Sequence, residues 1–159
     1  MSTAAAIGRD STVPGVRALV QRVESASVDV DGEQIAAIGR GLLVLLGVHR
    51  DDREPDADWI VRKLAGLRVF EGPGGRMDLT VGAIGGEILC VSQFTLYGDT
   101  RRGNRPSFTE AAPSDLAEPL YERVRASLGA QGGRFGARMR VALVNDGPVT
   151  LSIESPPRE

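Results

Sequence analysis

The sequence predicts an α+β domain in which layered, mixed β-sheets are covered by two helices. Three observations point there. Two segments, 55–67 and 113–128, carry apolar residues at helical spacing. Two runs, 42–48 and 87–96, are largely apolar, as strands buried on both faces are. Strand-like stretches precede and follow them, and helices between strands must cover a sheet face. A chain of 159 residues suits one domain with a real core.

Residues 1–15 are small and polar and close with Pro14-Gly15. Their only apolar stretch, Ala4-Ala5-Ala6-Ile7, falls short of a secretory h-region of roughly 7–15 residues. The expectation is a disordered extension over 1–15, one domain over 16–155 and a frayed end over 156–159. Residues 17–24 read as a strand. Residues 27–30 and 33–38 read as a hairpin around Asp31-Gly32, which supplies the positive φ angles of a type I′ turn. The run 42–48 lies between glycines and charges. In the helix over 55–67, Pro55 suits the first helical position, where a missing N–H costs nothing. Its acidic start suits the helix dipole, and Ile60, Leu64 and Leu67 share one face. Residues 72–86 hold six glycines and read as loop with at most a short strand. Residues 87–96 form the second buried strand, and 97–112 are polar and basic. In the second helix Leu116, Leu120, Val124 and Leu128 are spaced by four, Pro119 lies near the start and Gly129 suits the C-terminal cap. Residues 138–145 and 149–154 read as two strands joined by Asp146-Gly147-Pro148.

Composition narrows the function classes. Hydrophobic residues at 42% and charged residues at 25% fit a soluble globular protein. A net charge of −2 gives no global attraction for nucleic acid, so any RNA contact rests on a local patch. The lone Cys90 cannot form an internal disulfide, which fits a reduced, cytoplasmic setting and a buried structural thiol. The lone His49, beside it in number, argues against a multi-ligand zinc site and reads as a strand-end residue. No run approaches the roughly 18–20 apolar residues that span a bilayer, so no membrane partner is expected.

Three segments are candidates for chemistry. Ser92-Gln93-Phe94-Thr95-Leu96 ends the second buried strand, where hydroxyls often point into a site. Thr95 is either a nucleophile, which needs an adjacent base that the neighbouring sequence lacks, or a strand residue with a satisfied hydroxyl. Gly147-Pro148 is either an ordinary turn or a cis peptide, which an X-Pro bond permits. Arg101, Arg102 and Arg105 form either a phosphate-binding loop or a solvated one. Arg134, Arg138 and Arg140 are a weaker cluster, the last two on one face if the strand includes both.

Several ordered blocks together resemble the D-aminoacyl-tRNA deacylases. They are Arg17-Ala18-Leu19-Val20-Gln21-Arg22-Val23, the run 41–48, Gly85-Gly86-Glu87-Ile88-Leu89, Ser92–Leu96, Asp99-Thr100-Arg101, Arg105-Pro106-Ser107-Phe108, Gly133-Arg134-Phe135-Gly136-Ala137 and the segment 144–150. The resemblance covers nearly all of 17–155. It implies that family's barrel-like fold and a hydrolase that cuts D-amino acids from mischarged tRNA without a cofactor or metal. It implies a homodimer with the site at the subunit interface. There a cis Gly147-Pro148 enters the partner's site, and its carbonyls exclude an L side chain. D-aminoacyl-tRNA is the implied substrate, with glycine on tRNA for alanine a second one.

The resemblance further implies a catalytic segment of Ser92, Gln93, Phe94 and Thr95. Backbone N–H groups around Gln93 and Phe94 would polarise the ester carbonyl, and the 2′-hydroxyl of the terminal adenosine would assist water. Gly147, Pro148, Phe135, Met139 and Ala117 are the implied substrate-binding positions, and Arg101, Arg102 and Arg105 the implied tRNA-binding ones. Ser92 and Gly147 are of the D-selective type. The chain departs from the family pattern in residues 1–15, in a shortened stretch before Phe135, where an edge strand is expected to be missing, and in Gly98 where alanine is commoner. Two other classes stay open: a non-catalytic RNA-binding module and a structural β-rich dimer.

Overall fold

The computed structural model describes residues 15–157. The expectations for 1–14 and 158–159 lie outside the described residues. Among the described residues, eight strands and two α-helices run in the order β1 (Arg17–Val30), β2 (Glu33–Ile38), β3 (Gly41–Gly47), α1 (Glu54–Gly66), β4 (Phe70–Glu71), β5 (Met77–Leu79), β6 (Glu87–Ser92), α2 (Ser114–Leu128), β7 (Gln131–Gly132) and β8 (Arg140–Glu154). A 3₁₀ turn, Phe94–Tyr97, follows β6.

The main sheet has the order β2-β1-β3-β6-β7, with β8 also paired to β1, and β4 and β5 form a separate ribbon. β3, β6 and β7 are mutually parallel, whereas β1 is antiparallel to β2, β3 and β8. Parallel neighbours need a crossover, and each crossover here carries a helix. Both crossovers step the same way along the sheet, so the right-handed rule sends both helices to one face. The two helices accordingly share one core cluster with Leu42, Val44, Leu46, Ile88 and Cys90. Leu43, Leu89 and Val91 point the other way, into a second cluster with Val23, Val28 and Val30. That two-sided burial explains why β3 and β6 read as continuous apolar runs.

β1 joins the two layers. Ala18 and Val20 belong to the helix-side cluster and Val23, Ala26, Val28 and Val30 to the other. Its pairing with β8 shifts register between Gln21 and Ser25, and such irregularities bend a strand. The sheet thereby curls towards a barrel. Asp31 and Gly32 have φ of 53° and 78°, as the type I′ hairpin requires.

Local chemistry sets the helix ends. Arg53 N–H donates to the Asp56 carboxylate at 2.8 Å, which caps α1 one residue earlier than its sequence suggests. Between the helices, Arg123 Nε donates to Asp58 at 2.7 Å and holds that carboxyl below its usual range.

Several expectations are corrected. Residues 17–24 and 27–30 form one strand. Residues 138–145 and 149–154 are not two strands about a turn: β8 is one strand, and both its arms pair with β1. Arg138 precedes β8, so Arg138 and Arg140 do not share a strand face; both line a surface cavity with Asp29 and Asp31. β6 stops at Ser92 rather than at 96, because after Gln93 the chain turns into the 3₁₀ helix. The shortened stretch before Phe135 still holds an edge strand, β7, of two residues.

Candidate active site

The first motif sits at the carboxyl ends of the parallel strands β3 and β6, the usual place for a ligand in such a sheet. Gln93 N–H donates to Leu46 O at 2.7 Å and closes the ladder. Leu96 N–H then donates to Gln93 O at 3.2 Å, starting the 3₁₀ turn. The N–H groups of Phe94 and Thr95 come before that first bond and have no intrahelical acceptor. The resemblance implies backbone N–H groups around Gln93 and Phe94 as oxyanion donors. The Gln93 N–H is already used by Leu46 O, which leaves the Phe94 N–H as the candidate donor among the cavity's lining residues.

A cavity of ≈ 440 Å³ opens beside this turn. Ser92, Gln93 and Phe94 line one wall, Ala117 of α2 another, and Phe135 and Met139 a third. No ionisable side chain lines it among the described residues. Thr95 lies on the turn but outside the lining, and its hydroxyl accepts a hydrogen bond from the Gln93 side-chain amide. An amide donor cannot serve as a base. His49 is buried, stands edge-on to Tyr97 at 5.3 Å and accepts the Asp51 N–H at Nδ1. Cys90 is buried and its thiol is pushed up to about 12 by desolvation, so it stays protonated at neutral pH. Among the described residues no group of three or more His, Cys, Asp and Glu is placed to hold a metal ion.

Packing behind the cavity fixes its shape. Tyr121 OH donates to Cys90 O at 2.7 Å, and the Tyr121 ring meets Phe135 at 6.1 Å. A residue absent from the sequence-based candidates thus holds one wall. Its signal was a polar-tipped aromatic next to the apolar stripe of α2.

Gly147 and Pro148 are exposed and lie outside the lining of this cavity in the same chain. The bond between them is cis. Asn145 pairs with Val23 and Thr150 with Gln21, so four residues of β8 stand opposite Arg22 alone. Those four form an outward excursion whose base is pinned by Asn145: its Oδ1 accepts Val149 N–H at 2.9 Å and its Nδ2 donates to Thr150 Oγ1 at 3.0 Å. Beneath it lies Arg22, buried, donating from Nε to Asp146 O at 3.2 Å and from Nη1 to Val69 O at 2.8 Å. Arg22 is another residue that the sequence reading does not single out; a lone arginine amid apolar strand residues is its only signal.

The arginine loop is not uniform. Arg101 is committed to Asp99, with bonds of 2.9 and 2.7 Å that hold the Asp99 carboxyl well below its usual range. Arg102 and Arg105 are exposed. No helix of the described residues is long and apolar enough to cross a membrane.

Residues 19–154 match the family model described as D-Tyr-tRNA(Tyr) deacylase. The chain is 54% identical over 147 residues to the D-aminoacyl-tRNA deacylase of Chlorobaculum parvum, covering 89% of this chain and 99% of that protein. It is 54% identical over 145 residues to that of Thermotoga petrophila, covering 88% and 97%. The solved structure of a c-Myc DNA Unwinding Element Binding Protein superposes with a TM-score of 0.83 at 46% identity, covering 88% of this chain and 99% of that one. A further structure, of a probable eukaryotic D-amino acid tRNA deacylase, gives 0.76 at 18% identity over 87% and 98%, and shows the fold alone.

Proposed function

Because the chain belongs to the D-Tyr-tRNA(Tyr) deacylase family, we propose that it hydrolyses the ester joining a D-amino acid to the 3′-terminal adenosine of tRNA. The observation that carries this reading is the cavity itself: it is lined by Phe94, whose backbone N–H precedes the first hydrogen bond of the 3₁₀ turn, and it has no ionisable lining. Such a site acts by positioning and by preorganised dipoles rather than by a side-chain nucleophile.

The reaction proceeds by attack of water on the ester carbonyl. The developing oxyanion is met by the N–H group of Phe94. The adenosine 2′-hydroxyl positions the water, the 3′ oxygen leaves with a proton, and the products are the free amino acid and deacylated tRNA. Chiral choice comes from a second subunit, whose Gly147-Pro148 excursion closes the cavity over the amino acid's Cα. Its carbonyls leave no room for an L side chain, whereas a D side chain points away and glycine also fits. Glycine wrongly attached to tRNA for alanine is therefore a second substrate, and the enzyme serves translation quality control in the cytoplasm.

Two features support the homodimer. The excursion is exposed and has no use within its own chain's cavity. β8 is an edge strand of 15 residues, bonded on one side to β1, with Val144 49% and Leu151 38% exposed, an edge that a second copy would cover.

The test is hydrolysis of D-Tyr-tRNA beside L-Tyr-tRNA with a chelator present. The expected result is loss of the D-ester alone, undiminished by the chelator. Loss of neither, from folded protein that still binds tRNA, would leave a nucleic-acid-binding module, the reading that the DNA-binding name of the 46%-identical structure favours.

A further inference from the structure

An aromatic pair stands open to solvent where the cavity ends and the basic loop begins. Phe94 is 55% and Phe108 37% exposed, and their rings meet edge to face at 5.1 Å and 67°. Two large apolar rings side by side at the surface mark a contact site. Phe94 is also a wall of the cavity, so the pair extends its rim outward.

The pair is held in place from below. Asp99 N–H donates to Ser107 O at 2.7 Å and Ser107 N–H to Asp99 O at 2.9 Å, closing the loop between them. Phe108 follows directly and lies against Gly98, where an added Cβ would come within 3.1 Å of its ring. The closed loop carries three arginines. Asp99 occupies Arg101, whereas Arg102 and Arg105 make no hydrogen bond or ion pair among the described residues.

Resting on the deacylase reading, we infer that Phe108 and Phe94, with Arg102 and Arg105, form a landing surface for the single-stranded nucleotides that precede the terminal adenosine of the substrate tRNA. A cavity of ≈ 440 Å³ holds little beyond the aminoacylated nucleoside, so the preceding nucleotides must cross its rim. Bases of any identity stack on aromatic rings, and guanidinium groups bind phosphates. That tolerance suits an enzyme whose substrates share the same 3′ end. With a net charge of −2 the chain has no general pull on RNA, and a local patch must supply it. A second protein copy fits this surface less well, because it would strip water from two unpaired guanidinium groups.

The experiment compares kcat/KM for D-Tyr-tRNA and for D-tyrosyl-adenosine, which keeps the ester but lacks the preceding nucleotides. Wild type, Phe108→Ala, Phe108→Trp and Arg102→Ala are assayed, with sedimentation to follow the dimer. Phe108→Ala is expected to lower the ratio of the two values about tenfold, through KM on the tRNA, with recovery in Phe108→Trp. Arg102→Ala should reduce the salt dependence of tRNA binding by about 0.7 in the log–log slope. Equal losses on both substrates would overturn the inference, as would a weakened dimer in Phe108→Ala. A wild type inert on both esters sinks the deacylase reading and this inference together. Activity with an unchanged ratio sinks this inference alone.

Discussion

Thr95 is the residue on which two mechanisms part. Its hydroxyl is engaged by the Gln93 amide, and the one histidine is packed on Tyr97 beneath the turn. Nothing in that arrangement takes a proton from Thr95. Thr95→Ala should therefore stay within about tenfold of wild type in single-turnover hydrolysis of D-Tyr-tRNA. The removal of a true nucleophile costs on the order of 10⁶-fold, as a lost catalytic serine does. A loss of that size with intact tRNA binding would restore Thr95 as the nucleophile. The lack of a base was legible in the sequence, since one histidine and one cysteine leave few alternatives. That the Gln93 N–H is already taken was not: it bonds to Leu46, a residue far away in the chain.

At the scale of elements, the excursion of β8 depends on its support from β1. Arg22 is the one residue opposite it, 6% exposed, and it binds Asp146 above and Val69 below. Lysine cannot reproduce that fork. Arg22→Lys is expected to lower unfolding free energy by about 1–2 kcal/mol, for a buried hydrogen bond lost. It should also cut kcat/KM more than tenfold as the excursion drifts, which denaturant titration and steady-state assay would measure. Full activity in a destabilised protein would show that the excursion holds its place without Arg22.

The same element shows where sequence reading stops. Both helices were legible because Ile60 and Leu64, or Leu120 and Val124, repeat at the helical period and meet one core. β3 and β6 were legible because burial on two faces leaves an unbroken apolar run. β8 was not, because a strand with a four-residue excursion looks like two strands about a turn. The register with β1 distinguishes the cases, and register is a long-range property. Tyr121 and Phe108 escaped for a similar reason: their roles come from neighbours brought together by folding.

For the whole molecule, the excursion is no part of the cavity lining in its own chain, and only a second chain can unite them in the proposed site. Ala117 is 7% exposed and lines the cavity, so Ala117→Phe blocks it. Gly147 has φ of +127°, and an added Cβ would stand 2.8 Å from Val149 Cγ2 and 3.1 Å from Arg22, so Gly147→Ala displaces the excursion. Each variant alone should lose about a hundredfold or more in rate, as small misplacements do. The decisive measurement is D-Tyr-tRNA hydrolysis by the two variants after they are mixed and allowed to exchange subunits. A mixed dimer joins one open cavity to one intact excursion from the other chain. Random exchange makes half the dimers mixed with one good site each, which predicts about a quarter of wild-type activity. No recovery, with mixed dimers demonstrated by mass, would contradict the shared site.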